Sequence, residues 1–174
     1  VNAINDAPVL ANVSNVSFDE DGSSDVIVLS STDDDDGDSA TYSITDGTDI
    51  VATLTGSDVS FSAPLDYNGS ENFTITVEDS GELTDSQIIT VTVNAVNDAP
   101  VANAVSIGTN EDQDVVISLS GSDIDGDALT FSLGDAATNG SMILDGSFAT
   151  YTPDTNYNGD DSFTFSVSDG ELST

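Results

Sequence analysis

The chain has 174 residues, of which 33 are Asp or Glu, and it contains no Lys, Arg, His or Cys, so its formal net charge is −33 at neutral pH. Nothing in it can neutralise a phosphate, which excludes nucleic acid and insertion into or docking on anionic membranes, and a disulfide framework or thiolate metal site is equally excluded. Every charge pair except one with the N-terminal amine is repulsive, at roughly 1 kcal/mol per pair at 4 Å even in bulk water, so compensating cations have to come from solution.

Val1–Pro8 reads Val-Asn-Ala-Ile-Asn-Asp-Ala-Pro and recurs, with Val for Ile, at Val93–Pro100. A period of 92 residues is too long for a solenoid unit and suits one small all-β domain. In the second copy Val91, Val93 and Ala95 alternate into Asn97-Asp98-Ala99-Pro100, where Asn and Asp bend the chain and Pro bars further pairing. Two domains are expected, 1–96 and 97–174.

In the first domain, β-type runs fall at 13–18, 26–29, 40–44, 50–54, 59–61, 72–77 and 88–93. Phe73, Ile75 and Val77 alternate with Asn72, Thr74 and Thr76, a period of two that argues against disorder despite the acidic composition. The second domain repeats the order at 101–107, 115–119, 128–133, 141–144, 148–152 and 162–167. Asp, Gly, Ser and Asn clusters about every ten residues punctuate both copies. The expected fold class is all-β: two tandem Greek-key β-sandwiches, the second lacking its last strand, which is trimmed, disordered or supplied by another chain. No run of 18 apolar residues is present and no signal peptide precedes the first strand, so the chain reads as a piece of something longer.

Asp123-Ile124-Asp125-Gly126-Asp127 is matched by Asp34-Asp35-Asp36-Gly37-Asp38, with carboxylates at alternate positions and a Gly where the turn tightens. Hard oxygen donors without His or Cys suit calcium better than magnesium or zinc. An EF-hand does not fit, since the twelfth residue from Asp123 is Gly134 rather than Glu. A solvated turn alone also favours Asp and Gly. Against that reading, Glu20-Asp21 recurs as Glu111-Asp112 and Asp79 as Asp169, so several loops offer oxygens at corresponding places.

These motifs, with Asn-Asp-Ala-Pro at each domain start, Ser122–Thr130, Tyr157–Phe163 and Val167-Ser168-Asp169-Gly170, make the chain resemble the cadherin-like tandem repeats of bacterial surface adhesins and large secreted proteins. The resemblance implies calcium at the junction between successive domains. Carried over residue by residue, it implies ligands at Glu20, at Asp66 and Asn68 of a Pro-Leu-Asp-Tyr-Asn stretch resembling the cadherin Leu-Asp-Arg-Glu motif, at Asn97 and Asp98 of the linker, and at Asp123, Asp125, Asp127 and Asp169. Tyr-Asn in place of Arg-Glu removes a carboxylate, which points to one or two ions. Half-sites are implied at Asn5, Asp6, Asp34, Asp36, Asp38 and Asp79 of the first domain and at Glu111, Asn156 and Asn158 of the second.

The leading reading is a calcium-rigidified extender of an extracellular or cell-surface protein, with neighbouring repeats as partners. The alternative is a calcium-dependent module that binds polysaccharide or another copy of itself, but there is no Trp, and the four Tyr sit in or beside strand-like runs. Catalysis would rest on carboxylates alone. Each candidate pair has a repeat counterpart, which does not suit an active site, so no enzymatic role is expected.

Overall fold

The computed structural model describes residues 4–34 and 39–174; Asp36 and Asp38, two of the expected half-site ligands, lie outside the described residues. The chain divides into two compact units, Val1–Val96 and Asn97–Thr174. No helix occurs among the described residues.

Among its described residues the first unit has nine strands: β1 (Val9–Leu10), β2 (Val16–Asp19), β3 (Ile27–Val28), β4 (Ser31–Thr32), β5 (Thr41–Ile44), β6 (Val51–Thr55), β7 (Asp58–Ser62), β8 (Gly69–Glu78) and β9 (Thr84–Asn94). One sheet has the order β2-β9-β8-β5, the other β3-β7-β6, and β1 pairs with β4. The long hairpin β8–β9 runs antiparallel from Gly69↔Val93 to Glu78↔Thr84, while β2 lies parallel to β9 from Val16↔Val91 to Asp19↔Asn94. Alternation along these strands sends Phe73, Ile75, Val77, Ile89, Val91 and Val93 inward, all essentially buried. They meet Leu29, Ile50, Val59 and Phe61 from the opposite side, and Phe61 packs edge-on against Phe73 at 5.0 Å. Burying each such side chain is worth about 1.5–3 kcal/mol, which makes this double-layered core the main source of stability.

The second unit has β10 (Val101–Asn103), β11 (Val115–Ser118), β12 (Ser120–Ser122), β13 (Thr130–Leu133), β14 (Gly140–Asp145), β15 (Phe148–Pro153) and β16 (Phe165–Ser168). The order β11-β15-β14 mirrors β3-β7-β6, and β13-β16 mirrors β5-β8. After β16 the chain turns at Gly170, which has φ +110°, a region open to glycine. Val167 and Thr174 then exchange two backbone hydrogen bonds of 3.0 Å. The core is smaller here: Ile117, Leu119, Ala149 and Val167 are buried, whereas Phe131, Phe163 and Phe165 are only partly so.

Two loops are latched alike. Glu71 accepts the backbone amides of Thr48 and Asp49, both at 2.8 Å, and Asp161 accepts those of Thr138 and Asn139 at 3.0 and 2.8 Å. The Tyr151 hydroxyl also donates to Asp161 at 3.0 Å, and burial first, then this carboxylate, pushes the Tyr151 phenol up to about 12. The Asp49 amide holds the Glu71 carboxyl below its usual value, aided by Thr48 and opposed by burial. A group depressed in the folded state contributes stability that is present above its unfolded pKa, about 4.3 for Glu, and lost as the pH falls through the folded value. Glu71→Gln is therefore expected to be less stable than the native chain at neutral pH. The gap should close below about pH 4 in urea unfolding followed across pH.

Candidate metal site

Each unit is held shut at the end where it begins by the same contact. In the first, the Asn5 side-chain amide donates to Asp79 Oδ2 at 2.9 Å, while Asp79 Oδ1 accepts the amides of Gly81 and Leu83, both at 2.8 Å. In the second, Asn97 donates to Asp169 Oδ2 at 2.9 Å, and Asp169 Oδ1 accepts the amides of Glu171 and Leu172, both at 2.6 Å. The Asn97 hydrogen bond, outweighing burial and joined by the two amides, holds the Asp169 carboxyl below its usual range. At Asp79, burial is outweighed by the Leu83 amide, the Asn5 side chain and the Gly81 amide, with the same direction. These four residues thus have a structural task that needs no ion. A carboxylate offers about four lone-pair sites, so oxygen capacity remains.

Beside that contact in the second unit lies the Asp123–Asp127 turn. Asp123 Oδ1 accepts the amides of Asp125 at 3.0 Å and Asp127 at 3.3 Å, and Asp125 Oδ2 accepts the amide of Asp98 at 2.8 Å. Carboxylate oxygens of Asp98 and Asp125 approach within 4.8 Å. The second oxygen of Asp123 is buried and has no hydrogen-bond partner among the described residues. Buried polar atoms are nearly always paired, and an unpaired anionic oxygen is costly. Asp127 is exposed. In the first unit the corresponding Asp6 and Asp34 are also exposed.

At the other end of the first unit, Glu20 is buried, and its Oε1 accepts the amide of Val96 at 2.6 Å. Asp21 and Asp66 bring carboxylate oxygens within 4.8 Å of each other, and Asp21 Oδ1 accepts the Asp66 amide at 3.1 Å. Asn68 is exposed two residues further along the same turn. Both Asp21 (φ 62°) and Asp66 (φ 57°) are left-handed, a conformation Asp and Asn tolerate better than most residues. The second unit repeats this at Asp112 (φ 60°) and Asn156 (φ 58°), where Asp112 Oδ1 accepts the Asn156 amide at 2.8 Å. Glu111 and Asn158 stand exposed nearby in sequence. Sequence reasoning left Asp21 and Asp112 out of the ligand set, although their recurrence beside Glu20 and Glu111 was the available signal.

The sequence pattern of the family described as bacterial Ig domain matches residues 5–92 and again 97–174. The chain belongs to the bacterial Ig domain family. No curated protein sequence matches it. Among solved structures, this tandem pair of bacterial Ig domains is similar to protocadherin gamma C5 EC1-3 (TM-score 0.59, 17% identity, 97% of this chain and 65% of that one). It is also similar to human protocadherin-24 EC1-2 (0.57, 19%, 94% and 87%) and to mouse cadherin-23 EC22-24 (0.54, 19%, 96% and 61%). At these identities the likeness establishes the fold: the bacterial Ig domains are β-sandwiches of the cadherin-repeat kind. Against an endo-fucoidan hydrolase of glycoside hydrolase family 107, the chain spans 27% of that protein's length, at TM-score 0.43 and 23% identity.

Proposed function

We propose that this pair of bacterial Ig domains is a calcium-binding extender of an extracellular or cell-surface protein. In this reading calcium is held by carboxylates on both sides of the Val96–Asn97 peptide bond. The observation that carries it is the partnerless, buried Oδ2 of Asp123 beside the paired Asp98 and Asp125, in a chain with no cationic side chain. A cation from solution satisfies that oxygen, and an all-oxygen donor set fits calcium.

Connectivity supports the same reading. Glu20 is hydrogen-bonded to Val96, the last residue of one domain, and Asp98, bonded to Asp125, follows two residues later. In the proposed site Asp98, Asp123 and Asp125 hold the ion, with Asp127 at the rim. Glu20, Asp21 and Asp66 complete the shell, and Asn97 and Asp169 orient the linker. The role needs no chemistry on a substrate: ions shared between domains would limit rotation about a very short connector, and without them the same carboxylates repel. The other carboxylate clusters, at Asn5, Asp6, Asp34 and Asp79 and at Glu111, Asn156 and Asn158, would bind more weakly because fewer oxygens converge.

Small-angle scattering in calcium and in chelator tests this. Calcium should narrow the distribution of end-to-end lengths. Asp125→Asn, which keeps an acceptor for the Asp98 amide but removes the charge, should shift the calcium curve toward the chelated one. Asp145→Asn, at the exposed end of β14, should leave it unchanged. Identical curves with and without calcium would dismiss the extender.

A further inference from the structure

The sheet β11-β15-β14 has two faces. Ile117, Ala149, Met142 and Leu144 point to the core, so the residues alternating with them face outward. Cross-strand register sets these in rows: Val116, Thr150 and Ile143 side by side, then Ser118, Phe148 and Asp145. Val116 is 58%, Ile143 69% and Phe148 54% exposed, so three large apolar side chains form a triangle open to water. Single exposed apolar residues are ordinary, but adjoining ones on one face mark an interaction surface.

The fold does not require this triangle. The matching hairpins close on Asp145↔Phe148 in the second domain and on Thr55↔Asp58 in the first, so Asp58 stands where Phe148 does and Thr53 where Ile143 does. Asp58 and Thr53 are exposed as well. A carboxylate and a hydroxyl thus serve the first sandwich at positions where the second exposes a ring and a branched aliphatic side chain. Packing does not account for the difference, since these side chains point away from the core in both domains. An aromatic residue amid exposed apolar neighbours is of the kind that carries much of the binding energy at interfaces.

Charge selects the partner. Asp145 ends the row that holds Phe148, and Asp114 lies two residues before Val116; both are exposed. Strand geometry, about 4.8 Å between neighbours and about 3.4 Å per residue, sets these carboxylates roughly 17 Å apart on opposite sides of the triangle. A second copy of the chain, with a net charge of −33 and no cationic side chain, is repelled here. We propose that this face docks a segment of another protein whose apolar side chains are flanked by two Lys or Arg residues at a matching separation. The apolar side chains cover Val116, Ile143 and Phe148, and the cations pair with Asp114 and Asp145. Long-range attraction speeds the encounter, and the triangle fixes where the segment settles.

The test titrates a capped peptide into the isotopically labelled 174-residue chain and follows the backbone amides by NMR. The peptide, of about fourteen residues, carries Leu along one helical face, a Lys at each end of that face roughly 17 Å apart at about 1.5 Å per residue, and Gln elsewhere. Saturable shifts centred on Val116, Ile143 and Phe148 are expected. Phe148→Asp, which installs the side chain that the first domain carries at this place, should weaken binding at least ~10-fold, because the leucines would cover an unpaired charge. Attraction by net charge alone predicts the opposite, since this variant is more acidic. Ile143→Thr, again the first domain's residue, should weaken binding about threefold. Asp145→Asn should weaken it about twofold and flatten its salt dependence. A peptide with Glu for both Lys should bind at least ~10-fold more weakly. Shifts spread over the whole acidic surface, undiminished binding by Phe148→Asp and Ile143→Thr, or equal binding of the Glu peptide would overturn the proposal. So would concentration-dependent shifts at Phe148 without peptide, which would give the face to a second copy.

Discussion

Adding calcium to about 10 mM should raise the unfolding temperature of the chelated protein by roughly 6 to 20 °C for each ion bound. With dissociation constants of about 10⁻⁴ to 10⁻³ M, common for extracellular modules, one ion contributes about 1.4 to 2.7 kcal/mol at that concentration. Domains of this size shift by about 4–8 °C per kcal/mol. Magnesium at equal concentration should do less, because it keeps its waters and demands a smaller octahedral shell. Asp125→Asn should reduce the calcium increment while leaving the chelated transition in place or raising it slightly, since one repulsive charge is gone. Differential scanning calorimetry reads both quantities. An unchanged transition in calcium would remove the ion as a structural partner.

The second large effect distinguishes the two cores. Phe73→Ala should cost about 3–5 kcal/mol, because Phe73 is fully buried between the sheets and packs edge-on against Phe61 at 5.0 Å. Phe163→Ala, at the corresponding position of the second domain, should cost clearly less. Its ring is partly covered, and it meets Phe165 only at a tilted 6.4 Å. Denaturant unfolding of the two variants measures the difference. Equal losses would mean that the second core is packed as tightly as the first.

The long strands were readable because period-two alternation survives a one-letter sequence. Residues 72–77 and 88–93 predicted β8 and β9, which extend further at both ends as hydrogen-bonded partners of each other. The two-residue strands β1 and β4 and the three-residue β12 are too short to show a period. The expected strand over 101–107 stops at Asn103, although Val105 and Ile107 keep the alternation. Alternation marks a face, and a strand also needs a neighbour: residues 104–107 pair with no strand, and in the first domain their counterparts 13–15 form none either, pairing with β9 beginning only at Val16. The same reason shortens the expected strand over 162–167 to Phe165–Ser168.

At the candidate site, the carboxylate clusters could be seen in sequence, but their division of labour could not. That Asn97 would be bonded to Asp169, 72 positions away, follows only from the sandwich bringing the domain's first and last turns together. Asp21 and Asp112 were hidden for a different reason. Their left-handed backbone carries no mark when the residue is Asp, whereas a Gly would have announced it.

The most direct measurement is a crystal structure grown in calcium, with anomalous scattering used to place the ions. The account predicts anomalous peaks at about 2.3–2.6 Å from carboxylate oxygens of Asp123 and Asp125. Asp98 and one or more of Glu20, Asp21 and Asp66 should complete the shell. Well-ordered crystals in millimolar calcium with no peak at Asp123, or with ions only at the outlying clusters around Asp79 and Glu111, would contradict it.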